Sequence, residues 1–485
     1  MSDRNALRAA RFRLRDAQTY AQWLDAAHDV DRLSGAEAWR ADDASGAYHA
    51  DLLREQRDAM RRLREQGQAH ALARLLTHSL YRNLADIQSP ELYETALVGT
   101  KHLVGAYLDE CEASLLWLAE SEAFEPGEQL RRFEQAERVF GRSALMLSGG
   151  ATFGFYHFGV VKGLLEHDAL PDVICGSSAG AMIAAGVCAR TDDELHDLFA
   201  NPSQIRLDGL HPAGLRQFAS TGAWMQSNQL REVLEHNLGP ASFQEAFVHS
   251  GRTLCISVSP TRVRQKPRLL SRLASPDVLI ASAALASSAL PGLFPPVVLE
   301  MRADDGGVEP YVATETWIDG SIHGDLPKMR LARLHNINHF IVSQTNPHVL
   351  PVAHLRAGDR GARPALTGLA SAVARNQGAT AADFVRRLSG SGVVGRVSTQ
   401  LHNVASQDYA GDIEIVPRFN PWVYRKIVSN PTLEDLRFFI LEGERAVWPK
   451  LAMIREHTRI SRAFDRCLAL LRGRSAAGGG GASRA

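Results

Sequence analysis

The apolar run Pro171-Asp172-Val173-Ile174-Cys175 leads directly into Gly176-Ser177-Ser178-Ala179-Gly180, and then into the small-residue stretch Ala181-Met182-Ile183-Ala184-Ala185. This order reads as strand, sharp turn and helix, a βα unit whose connection is the turn itself. Gly176 and Gly180 flank Ser178 and permit a strained turn at which larger side chains would clash, lifting the serine oxygen clear of the sheet. Backbone N–H groups and the positive end of the following helix favour an oxyanion beside that oxygen. Ser178 is therefore the candidate nucleophile, Gly176 and Gly180 form its elbow, and Ala179 is a candidate oxyanion donor.

A glycine-rich loop upstream supplies the context this pattern needs. Ser148-Gly149-Gly150-Ala151-Thr152-Phe153-Gly154 follows the strand-like Ala144 to Leu147 and opens the helical stretch from Phe155 to His167. Such a loop aims several amides at one point, here those of Gly149, Gly150, Ala151 and Thr152. Phosphate binding is the competing use of a glycine loop. No Lys-Ser/Thr pair follows Gly154, and the spacing does not fit G-x-G-x-x-G, so an oxyanion hole is the better reading. Further on, Thr316-Trp317-Ile318-Asp319-Gly320-Ser321 reads as a short strand ending in Asp-Gly. Asp-Gly is commonly a turn and nothing more, but a carboxylate at a strand end downstream of the serine is suited to accept the serine proton.

These three motifs, in this order, resemble those of the patatin-like lipid acyl hydrolases. The similarity runs on through Ala286-Ser287-Ser288-Ala289-Leu290-Pro291-Gly292-Leu293-Phe294-Pro295 and Asn338-His339-Phe340-Ile341-Val342-Ser343-Gln344-Thr345-Asn346-Pro347. Those runs resemble the branch containing the storage-triacylglycerol lipases of yeasts and plant seeds. That branch also carries a helical N-terminal domain similar to residues 10 to 135, including Asp29-Val30-Asp31-Arg32-Leu33 and Val98-Gly99-Thr100-Lys101. The resemblance covers about residues 10 to 470. It implies a Ser178–Asp319 dyad without histidine and an acyl-enzyme intermediate. Three positions depart from the wider family: Ala151 stands where a third loop glycine is usual, Phe153 where a basic residue is usual, and Ser321 after Asp-Gly. Ser321 stands where many relatives have Gly or Ala, and no role is assigned to it.

The fold class expected is α/β. Strands at Ala144 to Leu147, Val173 to Cys175, Leu254 to Val258, Trp317 to Asp319, Phe340 to Ser343 and Ile413 to Val416 alternate with helices, implying a mostly parallel sheet with helices on both faces. Sites in such sheets form beyond the carboxyl ends of strands. Before it, Tyr20, Trp23, Leu24 and Ala27, then Leu72, Leu75, Leu76 and Leu80, then Val104, Tyr107, Leu108 and Cys111 repeat at helical spacing. From Asn430 the chain is helical again. The domains read as a helical N-terminal domain at 1–140, a catalytic core at 141–350, a C-terminal extension of that core at 351–474, and a flexible tail at 475–485. Weakly periodic residues 355–400 are a candidate lid.

With 54 basic and 54 acidic side chains the chain has no net charge, which gives no reason to expect nucleic acid as a partner. Cys111, Cys175, Cys188, Cys255 and Cys467 are scattered and mostly inside apolar runs, suiting buried thiols in a reducing compartment. They show no metal spacing, and no acidic loop suggests calcium. No secretory signal is visible. The stretch nearest to a membrane-spanning helix, Val278 to Leu290, contains three serines, is too short to cross a bilayer and suits a buried helix. A cytoplasmic protein with no transmembrane segment must then dock at a membrane or lipid-droplet surface to reach lipid. Arg4, Arg8, Arg11, Arg13 and Arg15 around Leu7, Phe12 and Leu14 are the candidate interfacial helix, with a solvated helix face as the plainer reading.

The expected function is hydrolysis of long-chain acyl esters of glycerolipids, triacylglycerol favoured, without cofactor. Phospholipase A or lysophospholipase activity and acyl transfer use the same nucleophile, and a non-catalytic lipid-surface scaffold is the alternative of another class. His335, His339, His348 and His354 follow Asp319 in the chain order of a Ser-Asp-His triad and keep that arrangement open. His157 and His323 lie near the motifs and are expected to be structural or solvated.

Overall fold

The computed structural model describes residues 2–214, 218, 222–262, 265–347, 349–350, 410–418 and 421–479. The candidate lid, His348, His354 and the side chain of His323 lie outside the described residues. The chain divides into two compact units. One comprises residues 1–143, 336–338 and 448–485, the other 144–335 and 339–447.

The first unit is helical. Trp23, Ala27, Leu72, Leu76, Val104, Tyr107, Leu108 and Cys111 are buried, as their spacing requires. Its core also takes in Ile460, Phe464 and Leu468 from the last helix, Leu451–Gly479, which packs against helices His102–Glu120 and Pro126–Phe140. Phe464 meets the rings of Phe133 and Phe140 at 6.3 and 5.8 Å between centroids. This differs from the expected extension at 351–474: helix Leu433–Val447 does pack on the catalytic unit, whereas residues from Trp448 onward join the N-terminal helices. The reason is the apolar stripe Ile460, Phe464, Leu468 and Leu471, whose faces are matched by the aromatic residues at the end of the N-terminal region. The tail expected from residue 475 is helical through Gly479, where Ser475, Ala476 and Ala477 continue the helix at little intrinsic cost.

The second unit is built on a sheet in the order β4-β3-β2-β1-β8-β9, with β7 also paired to β3. The strands are β1 (Arg142–Leu147), β2 (Val173–Gly176), β3 (Thr253–Pro260), β4 (Arg268–Ser271), β7 (Trp317–Asp319), β8 (Ile337–Ser343) and β9 (Ile413–Ile415). β5 (Glu300–Arg302) and β6 (Val308–Pro310) form a separate antiparallel pair. Parallel pairing joins β1 to β2, β2 to β3, and β8 to β9, while β4 and β7 both run antiparallel to β3. All eight residues of β3 are buried, as a strand covered on both faces must be. Helix Ile280–Ser287 is likewise buried along its whole length, the fate expected for the Val278 to Leu290 stretch. Among the described residues no helix is long and apolar enough to cross a membrane.

The direction of β7 decides how the site assembles. Because it runs antiparallel to β3, Trp317 pairs with Pro260 at the end of β3, and Asp319 comes back to Val258. β2 ends two residues earlier along β3, with Gly176 opposite Ile256. Asp319 and the turn after β2 therefore meet at the carboxyl end of β3, although their own strands point in opposite directions.

Candidate active site

Ser178 sits between β2 and helix Ala179–Cys188 with φ +54 and ψ −126, a conformation L-residues rarely adopt. Strain of this kind persists only where surroundings enforce it. Here the enforcement is steric and polar. A Cβ at Gly180 would overlap the Leu147 carbonyl oxygen, and one at Gly176 would overlap that of Gly180. The Ser178 N–H donates to the Ser287 hydroxyl at 2.9 Å, and that hydroxyl donates to the Ser257 carbonyl at 2.7 Å.

The Ser178 side chain lies beside the Asp319 carboxyl, close enough to help hold it down. Asp319 is 1% exposed, and its Oδ1 accepts the Ser321 N–H at 2.8 Å. Burial pushes the Asp319 carboxyl up to about 6, held from rising further by Ser321 and Ser178. Ser321, given no role from the sequence, is thus one of the groups that set the charge state of Asp319.

The glycine loop reaches the same point, and the five expected oxyanion donors, four on the loop and Ala179 after the serine, separate into two sets. The Gly149 N–H donates to Asp325 Oδ1 at 3.0 Å and the Thr152 N–H to the Ile427 carbonyl at 3.1 Å, so neither faces the serine as a free donor. The physical reason is that these two amides anchor the loop, with the Ser148 N–H bonded to the Ser343 carbonyl at 3.1 Å on its near side. The amides of Gly150, Ala151 and Ala179 take no acceptor among the described residues. Ala151 has φ +49, which accounts for glycine being usual at that position. Gly150 is required by proximity, since a Cβ there would stand 2.9 Å from the Thr345 carbonyl oxygen and overlap its hydroxyl.

Ser287 and Thr345 lie in the two runs that carry the family resemblance, but their sequence context indicates no role for them. Asp325 lies outside every motif, and its signal is an acidic residue six positions after Asp319 and just before Leu326-Pro327. Asp325 is 1% exposed, and burial together with the nearby Asp319 pushes its carboxyl up to about 8.

His157 is fully buried beneath the loop. Its Nδ1 pairs with the Ser343 hydroxyl at 2.7 Å and its Nε2 with the Ser148 carbonyl at 3.0 Å, while burial pushes the imidazole down to about 4. It is a structural histidine. His339 is buried and His335 lies 3.4 Å from the Cys255 thiol. Of the described histidines, His236 lines the cavity into which Ser178 opens.

That cavity has a volume of about 1240 Å³ and lies within the second unit. Gly149, Gly150, Ala151, Thr152, Ala179 and Asp319 line it together with Ser178. Its walls include Met182, Ile183, Leu198, Leu230, Leu234 and Phe294. A space larger than the usual 300–1,000 Å³ of small-ligand sites, walled by aliphatic side chains, suits a long apolar molecule with one reactive polar group. Among the described residues no cluster of three or more His, Cys, Asp or Glu is placed to hold a metal ion.

Comparison with known proteins gives this geometry its relatives. Residues 1–138 match a domain of unknown function, DUF3336, and residues 145–330 match the family described as patatin-like phospholipase. A patatin-like phospholipase domain-containing protein of Chaetomium globosum is 35% identical, over 95% of this chain and 58% of that protein. Triacylglycerol lipase 5 of Saccharomyces cerevisiae is 31% identical, over 94% of this chain and 64% of the yeast protein. Triacylglycerol lipase 4 of the same yeast is 32% identical, over 94% and 52%. The chain thus spans about half to two thirds of the length of these curated relatives. Similarity that runs through nearly the whole chain, with a family match over residues 145–330 that carry Ser178, Asp319 and most of the cavity lining, makes this chain a member of the patatin-like phospholipase family.

Proposed function

We propose that the protein is a serine acyl hydrolase of glycerolipids, with triacylglycerol as its favoured substrate. The observation that carries the reading is the Ser178 side chain beside the buried Asp319 carboxyl in a large cavity with aliphatic walls. Asp319, ionised above about pH 6, takes the Ser178 proton as the serine oxygen attacks the ester carbonyl. The carbonyl oxygen gains a negative charge, which the amides of Gly150, Ala151 and Ala179 stabilise. The proton passes from Asp319 to the leaving glycerol oxygen, leaving an acyl-enzyme. Water then attacks with Asp319 as base, and the fatty acid leaves as Ser178 regains its proton. Each step needs one carboxylate and no histidine.

The relatives named as triacylglycerol lipases support the choice of substrate. Docking on the lipid surface is assigned to helix Ser2–Asp16. At 100° per residue Arg4, Arg8, Arg11 and Arg15 fall within about 60° of one another. All are exposed, and Phe12 beside them is 68% exposed. Arg13, which lies off that stripe, pairs with Asp29 at 2.7 Å. The site is then expected at a membrane or lipid-droplet surface in the cytoplasm.

The test is fatty-acid release by the protein and its Ser178→Ala variant from emulsified long-chain triacylglycerol and from phosphatidylcholine vesicles in parallel. Serine-dependent release chiefly from triacylglycerol supports the proposal, and release chiefly from vesicles makes the protein a phospholipase. Absence of release together with no labelling by a fluorophosphonate probe would replace it with a non-catalytic lipid-surface role.

A further inference from the structure

The proposed hydrolysis leaves one buried ionisable group at the site without a task, the carboxyl of Asp325. It lies between the turn Ser321–Gly324 and helix Lys328–His335 and is tied to three separate parts of the site. Oδ1 accepts the Gly149 N–H at 3.0 Å, Oδ2 accepts the Asn346 side-chain amide, and the backbone carbonyl accepts the Ser177 hydroxyl at 2.8 Å. One residue therefore fastens the glycine loop, the segment after β8, and the residue before the nucleophile.

We propose that Asp325 is a positioning residue that aims the oxyanion loop, pinning the Gly149 amide so that the next two amides face the oxygen of the substrate carbonyl. The proposal rests on the hydrolase reading above. Fixing the Gly149 N–H fixes the peptide plane before it, and the Thr345 hydroxyl holds the Gly149 carbonyl from the other side at 3.0 Å. Between that clamp and the Thr152 N–H bonded to Ile427, Gly150 and Ala151 have no freedom to turn their amides away. A buried carboxyl is costly to retain, and burial together with the neighbouring Asp319 displaces this one further than burial displaces Asp319. The return is geometric: displacement of a reacting group by about 1 Å can cost on the order of 10²-fold in rate, and loss of one oxyanion donor about 10² to 10³-fold.

The experiment measures kcat and KM on p-nitrophenyl butyrate for the full chain, with Ser178→Ala as the baseline. Lack of serine-dependent hydrolysis in the parent would remove the hydrolase reading itself, before Asp325 is in question. Asp325→Leu deletes the acceptor. It is expected to lower kcat by about 10²-fold with KM within about threefold, because the aimed amides act on the transition state and not on bound ester. Asp325→Asn keeps an acceptor for Gly149 and is expected within about tenfold of the parent. A folded leucine variant with unchanged kcat, or an asparagine variant as impaired as the leucine one, would overturn the proposal.

If Asp325→Leu does not fold, the Asp325→Asn, Asn346→Asp exchange carries the test. It keeps the Gly149 acceptor and swaps donor and acceptor within the pair. Asn346→Asp alone sets two carboxyls face to face and is expected to be about 10²-fold slow, with the exchange recovering at least about tenfold. No recovery in the exchange variant would count against the proposal as decisively as an active leucine variant.

Discussion

The Ser178 backbone N–H ends on the Ser287 hydroxyl, 2.9 Å away on a different helix. The strained nucleophile turn is thereby fastened to the buried helix Ile280–Ser287 by a hydroxyl that also bonds the β3 carbonyl of Ser257. Ser287→Ala would leave the Ser178 N–H without an acceptor. It should lower the unfolding free energy by about 1–3 kcal/mol, as loss of a buried partner does, and slow hydrolysis more than it weakens substrate binding. Thermal melting and steady-state kinetics of the one variant check both parts, and an unchanged melting temperature would remove Ser287 from the account of the turn.

Asp319 sets the pH dependence. Burial raises its carboxyl from the ordinary 3.8 to about 6, and a general base must be ionised, so kcat/KM should rise with pH through about 6. The same shift governs stability with the opposite sense. A folded-state value raised above the unfolded one gives stability that is complete below about pH 4 and is lost as pH rises through about 6. Asp319→Asn should therefore be inactive yet melt higher than the parent at pH 8 and level with it near pH 4, a difference on the order of 3 kcal/mol at most. Equal melting temperatures at both pH values would mean that the carboxyl is not held out of water.

Ala151 holds a left-handed conformation that costs an L-residue about 1–2 kcal/mol. Ala151→Gly relieves it and leaves the amide in place, so the variant should gain about 1 kcal/mol in chemical denaturation with kcat within about twofold. Gly150→Ala should behave oppositely. Its Cβ would meet the Thr345 hydroxyl and carbonyl, pushing the loop off the serine, and activity should fall by at least about 10²-fold.

The arginine stripe of helix Ser2–Asp16 predicts selective docking. Replacing Arg4, Arg8, Arg11 and Arg15 together by Gln should weaken binding to phosphatidylserine-containing vesicles by about 10² to 10³-fold, at about 1 kcal/mol for each basic residue near an anionic surface. Binding of the parent should also fall steeply with salt. Hydrolysis of soluble p-nitrophenyl butyrate should be unaffected. Vesicle co-sedimentation measures the effect, and equal binding by parent and variant would assign docking to another surface.

Much of this protein was legible locally. The βα turn at Ser178, the glycine loop and Asp-Gly are short-range patterns, because glycine at a forced turn and an apolar run in a buried strand answer to constraints within a few residues. The strands from Ala144, Val173, Leu254, Trp317, Phe340 and Ile413 appeared for the same reason, as did the helical stripes before Phe140. The same local motifs carry the family resemblance.

What the tertiary structure decided is how distant residues come together in one site. The antiparallel entry of β7 that returns Asp319 to Val258 depends on which edge of β3 stays open, and no periodicity within Trp317–Asp319 encodes that. Whether a loop amide is an oxyanion donor or an anchor depends on which acceptor lies opposite. For Gly149 it is Asp325, 176 residues away, and for Thr152 it is Ile427. The passage of the last helix to the N-terminal unit depended on a matching apolar face far upstream. Sequence patterns report the local cost of a conformation, while donor direction, carboxyl burial and strand direction are settled only when remote segments close on one another.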